Sequence, residues 1–147
     1  MIYTKLTNLA MCIAYEAHHG KRDRNEIPYV FHPYHLAEQM DTEYEVVVAL
    51  LHDVVEDSEL TLEDLRQAGF PEEVLEAVRL LTHEDGVPYL DYVAALKENP
   101  LAKKVKLADL HHNSDVTRLG KINEKTAKRV KKYAAALRML ESEHSEE

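Results

Sequence analysis

The chain has 147 residues, 45% of them hydrophobic and 31% charged, and its 18 basic against 27 acidic side chains leave a formal net charge of −9. That length fits a single domain over residues 1–147, the apolar content excludes a disordered chain, and the acidic balance argues against nucleic acid or an anionic membrane as a partner. Four glycines, five prolines, no tryptophan and thinly spread β-branched residues speak against a sandwich or barrel, so the expected fold class is all-α.

The single cysteine, Cys12, can form no intramolecular disulfide and lies in an apolar helical stretch, so it is read as a core residue in a reducing compartment. No signal-like segment opens the sequence, and no apolar run approaches the roughly 20 residues of a membrane span. A cytoplasmic protein is expected.

Leu6, Leu9, Ala10, Ile13, Ala14 and Ala17 recur at helical spacing and predict a helix over residues 4–19, with Gly20 as its stop. Residues 20–34 contain two prolines and no steady period, which predicts a loop holding His32 in an extended backbone before Pro33. A short helix over 35–40 follows. The apolar run inside residues 43–55 predicts a helix buried on most sides. Thr61 with Asp64 forms a capping-box pattern ahead of a short helix that Gly69 ends, and Pro71 opens the next, through Leu81. Further helices are predicted from Pro88 to about Asn99, from Leu101 to Asn113 and from Asn123 to Glu141, with an acidic tail over 141–147 expected to fray.

Charge is unevenly distributed along the chain. Residues 38–91 hold 16 acidic and 2 basic side chains, whereas residues 97–132 hold 11 basic and 4 acidic. Most of these belong to solvated helix faces, but folding the basic segment against the 20–34 loop would create a landing place for an anionic substrate.

Chemistry concentrates in LLHDVVED, residues 50–57. An ionised carboxylate beside an imidazole at the end of so apolar a helix is costly unless both are satisfied, and a divalent cation does this efficiently. On a continuous helix Glu56 lies four residues after His52, and Asp57 four after Asp53, so one face offers four site-forming groups. His32 in the upstream loop and Asp109 in VKLAD extend the set. Two imidazoles and two carboxylates suit Mn²⁺, Fe²⁺ or Zn²⁺ with positions left for water and substrate.

These segments, AHHG at 17–20, PYVFHP at 28–33, LLHDVVED at 50–57 and VKLAD followed by His112-Asn113, together resemble the HD superfamily of metal-dependent phosphohydrolases. More narrowly they resemble the guanosine tetraphosphate (ppGpp) hydrolase domain of the RelA/SpoT family and its small stand-alone homologues, over about residues 3–140. The resemblance implies a compact HD-domain bundle of seven or eight helices, with Mn²⁺ held by His32, His52, Asp53 and Asp109. It implies that Glu56 and Asp57 position or deprotonate the attacking water, and that the reaction releases pyrophosphate from the 3′ position of an alarmone. Arg24, Tyr29 and Asn113 are the implied substrate contacts.

The chain departs from the family at Asp23, Leu110 and Asp115, where basic residues are usual, so weak action on guanosine tetraphosphate is expected. Lys21, Arg22 and the basic segment Lys128–Lys132 are available as substitutes. His18, His19, His83, His111 and His112 are read as surface or hydrogen-bonded histidines. Two alternatives stay open: a nucleotide phosphomonoesterase or pyrophosphohydrolase of other specificity, and a non-catalytic domain that binds metal and nucleotide. The Glu56-Asp57 pair favours catalysis over the second.

Overall fold

The computed structural model describes residues 1–142. Among them the chain forms nine helices: α1 Lys5–His18, α2 Phe31–Glu38, α3 Glu43–Leu51, α4 Val54–Asp57, α5 Leu62–Ala68, α6 Glu72–Leu81, α7 Tyr89–Leu96, α8 Pro100–Asn113 and α9 Glu124–Glu141. The only β-type pairing among the described residues is an isolated bridge between Arg22 and Pro28. The expected all-α bundle is thus found, and no helix is long and apolar enough to cross a membrane.

Helix α3 is the axis of the fold. Val46 to Leu51 are six consecutive buried residues, as a helix with apolar side chains all round requires, and α1, α2, α6 and α8 pack around it. The starts are fixed locally. Thr4, Thr42 and Thr61 each accept a hydrogen bond from the backbone three residues on within a capping box, and Asn99 and Asn123 cap α8 and α9 in the same sense. Gly69, at φ 110°, ends α5 in the left-handed conformation that a side chain would oppose.

Three expectations need correction. The helix predicted over 43–55 is broken at His52-Asp53, which adds one element to the expected count. Ala49 O, the acceptor that an unbroken helix offers to the Asp53 N–H, accepts from His52 Nδ1 at 2.7 Å, and Asp53 sits at φ −106°, ψ −2°. His32 is not in an extended loop but in the first turn of α2, where the missing N–H of Pro33 removes no helical hydrogen bond. Cys12 is exposed, because α1 buries the stripe Thr7, Ala10, Ala14 and His18 and position 12 faces away from it. The acidic tail beyond Ser142 lies outside the described residues.

Candidate active site

The ends of α2, α3 and α8 converge on one buried cluster. Because the Ala49 carbonyl can only accept, His52 donates from Nδ1, which turns Nε2 inward. Nε2 is buried, has no hydrogen-bond partner among the described residues, and lies 3.0 Å from Asp53 Oδ2 and 3.6 Å from Asp109 Oδ1. His32 Nε2 lies 2.8 Å from Asp109 Oδ1, while its Nδ1 meets His112 Nδ1 at 2.7 Å. One ligand atom from each of His32, His52 and Asp109 falls within 4.8 Å of the others.

This donor set fits a divalent cation. Two imidazole nitrogens and a carboxylate oxygen face one point, one nitrogen is an orphan that a metal would satisfy, and each ring is oriented through its other nitrogen. Asp109 is itself divided: Oδ1 faces the histidines and accepts from Asn113 Nδ2 at 3.1 Å, while Oδ2 lies 3.0 Å from Lys106 Nζ.

Asp53 stands beside this trio. Its Oδ2 accepts from the Tyr29 hydroxyl, and the Tyr29 ring packs against His18 and His32 with centroids 4.9 and 5.6 Å apart. Burial, together with the charge of Asp53, holds the Tyr29 phenol well above its usual range, so it stays a donor. Glu56 Oε1 accepts from the His83 backbone N–H at 2.8 Å. Asp57 receives Lys21 on its backbone carbonyl rather than on its carboxylate. Burial, then the neighbouring carboxylates of Asp53 and Glu56, push the Asp57 carboxyl up to about 6.

The cluster opens into a cavity of about 590 Å³. Its lining includes the carboxylates of Asp53, Glu56, Asp57 and Asp109, the α9 residues Arg129, Lys132 and Tyr133, and Arg22, Arg24, Asn25 and Arg118 from the loops. Of the expected substrate contacts, Arg24 is exposed on the rim, whereas Asn113 and Tyr29 direct their polar ends to Asp109 and Asp53. Asp23 builds its own loop: Oδ1 accepts from the Asn25 and Ile27 N–H groups at 2.8 and 3.1 Å, and Oδ2 lies 3.6 Å from Arg118. Leu110 is in the core, and Asp115 accepts from the backbone and hydroxyl of Thr117.

Three groups near the site take places the sequence did not show. His18 is neither on the surface nor hydrogen-bonded: it is 1% exposed, both ring nitrogens lack partners among the described residues, and burial brings its pKa down to about 4. His112 is hydrogen-bonded, as one of its two expected readings had it, and half-buried; what the sequence did not show is that its partner is His32. Lys106 was available as the lysine three residues before Asp109, one helical turn away, but a lysine in a basic segment reads as solvated until its burial is seen.

No family model matches the chain. It is 31% identical over 119 residues to the bifunctional (p)ppGpp synthase/hydrolase SpoT of Escherichia coli K12, covering 71% of this chain and 17% of that protein. It is 36% identical over 91 residues to a guanosine-3′,5′-bis(diphosphate) 3′-pyrophosphohydrolase of Vibrio cholerae, covering 59% of this chain and 13% of that one. The chain therefore spans less than a fifth of these relatives' length. A solved metazoan ortholog of SpoT, described as hydrolysing ppGpp, superposes with a TM-score of 0.74 at 25% identity over 95% of this chain and 85% of that one. Likeness in sequence along most of the chain and in fold along nearly all of it make this protein a homologue of the SpoT/RelA (p)ppGpp hydrolase domain, with an HD-type helical fold.

Proposed function

We propose that the protein is a manganese-dependent phosphohydrolase that removes pyrophosphate from the 3′ position of guanosine-3′,5′-bis(diphosphate). The observation that carries this reading is the trio of His32, His52 and Asp109 around the orphan His52 Nε2, beside a cavity lined by both carboxylates and the cations Arg129 and Lys132. Asp53 completes the ligand set, held in place by the Tyr29 hydroxyl. A bound divalent ion supplies Lewis-acid polarisation of a phosphoryl oxygen and lowers the pKa of water.

The side chains do the rest. Asp57, whose carboxyl is poised at about 6, accepts the proton of the attacking water. Glu56, tethered to the His83 N–H, is a fixed charge that keeps the Asp57 carboxyl high and orients the water. Arg129 and Lys132, which line the same cavity, pair with the second diphosphate of a substrate charged at both ends. The free, exposed thiol of Cys12 is compatible with a reducing cytoplasm.

The test is to incubate the Mn²⁺-reconstituted protein with guanosine-3′,5′-bis(diphosphate) and resolve the products by anion-exchange chromatography. Guanosine diphosphate and pyrophosphate are expected in equal amounts. Orthophosphate in place of pyrophosphate would mean cleavage of a diphosphate anhydride bond and favour a nucleotide phosphohydrolase of other specificity, and binding without products would favour a non-catalytic domain.

A further inference from the structure

Lys106 is a cation inside the core, 8% exposed, and it lines the cavity beside a cluster that would itself bind a cation. Its Nζ lies 3.0 Å from Asp109 Oδ2 and sits over the rings of Tyr92 and Tyr89, 5.1 and 5.6 Å from their centroids. Two positive charges sharing one buried carboxylate is not an arrangement that maximises metal affinity, because the lysine competes for the same negative charge. The split of Asp109, with Oδ1 toward the histidines and Oδ2 toward Lys106, explains it.

We infer that Lys106 is a positioning residue that holds Asp109 Oδ2 away from the metal, so that Asp109 ligates through Oδ1 alone and the ion keeps room for substrate and water. This rests on the metal reading proposed above. Without the ammonium group, Asp109 becomes an uncompensated buried carboxylate with both oxygens free to turn to the ion. A neighbouring opposite charge commonly changes a carboxylate's proton affinity by about 1–3 pKa units, and the same field acts on a divalent cation, so affinity should rise by at least about tenfold.

The experiment titrates the full-length wild type, Lys106→Met, Lys106→Gln and Lys106→Arg with Mn²⁺, following free Mn²⁺ by electron paramagnetic resonance, and repeats thermal melts with and without the ion. Lys106→Met and Lys106→Gln are expected to bind Mn²⁺ at least about tenfold more tightly than wild type. They should also show a larger Mn²⁺-induced rise in Tm and turn over more slowly, while Lys106→Arg keeps wild-type affinity. A lysine that only packs could lower stability and weaken binding, but its removal would not tighten it. If Lys106→Met does not fold, Lys106→Gln, which keeps a hydrogen-bond donor, carries the test. Unchanged or weaker Mn²⁺ binding in the neutral variants, or equally tight binding in Lys106→Arg, overturns the inference and leaves the metal reading standing. A wild type that binds no Mn²⁺ overturns both.

Discussion

Asp109 and Lys106, which line the floor of the cavity from α8, and His52, which caps α3 behind it, are 6, 8 and 2% exposed, whereas Arg24 and Lys132 are exposed and belong to a loop and an outer helix. Floor groups are held by one another and by the packing of Val46–Leu51 and Leu110 beneath them. Rim groups are held by side chain to backbone bonds: Asp23 to Asn25 and Ile27, Asn25 to the Arg118 carbonyl, Arg118 Nη1 to the His112 carbonyl at 2.5 Å. A change on the floor disturbs the core and the chemistry together. A change on the rim is expected to alter which anion fits.

The largest effect that tests this contrast comes from the floor. Outer partners of metal ligands are commonly worth about 10–100-fold in affinity and a ligand more, so Asp53→Ala and His52→Ala should each weaken Mn²⁺ binding by over ~100-fold and abolish turnover. Elemental analysis after dialysis checks it; a variant that keeps its metal is not missing a ligand.

Asp57→Asn should retain the ion yet lose about 10²–10⁴-fold in kcat, the usual share of a general base. The base works ionised. Since its carboxyl is raised to about 6, wild-type kcat should fall as the pH drops through that value, or through a lower one once a bound cation favours the carboxylate. The acid limb should vanish in the variant, and a limb that survives unchanged assigns the base elsewhere.

On the rim the prediction separates KM from kcat. Charge-assisted hydrogen bonds contribute about 1.5–3 kcal/mol, so Arg129→Ala or Lys132→Ala should raise KM by about tenfold or more with kcat nearly constant. A fall in kcat with constant KM would mean that α9 takes part in the chemistry and that floor and rim are not separable.

The smallest effect is conformational. Glu26 has φ 67°, left-handed backbone that a side chain opposes by about 1–2 kcal/mol and glycine adopts freely, less the roughly 0.5–1 kcal/mol of extra chain entropy that glycine loses. Glu26→Gly should therefore raise Tm by a few degrees without touching the metal. Destabilisation on thermal melting would show that the Glu26 side chain supports the rim.

Much of the fold is legible locally, because caps and periodicity act within one or two turns. Thr42 with Glu45, Thr61 with Asp64, and Gly69 specify helix ends through bonds to their own neighbours. Likewise His52, Asp53, Glu56 and Asp57 stand out as titratable groups beside an apolar run. What escaped were a local exception, the break at His52 where a side chain takes a backbone acceptor, and features that depend on distant partners: the burial of His18 and the pairing of His32 with His112, 80 residues away.

By itself, then, the sequence determined the helical class, most helix starts, and the residue types able to hold a cation, since each follows from short-range pattern and side-chain chemistry. Only the tertiary structure decided which lysine is buried, which aspartate oxygen faces the histidines, and that Asp23 serves its own loop. Those outcomes depend on which groups long-range packing places within about 3 Å of one another, where hydrogen bonding and desolvation act.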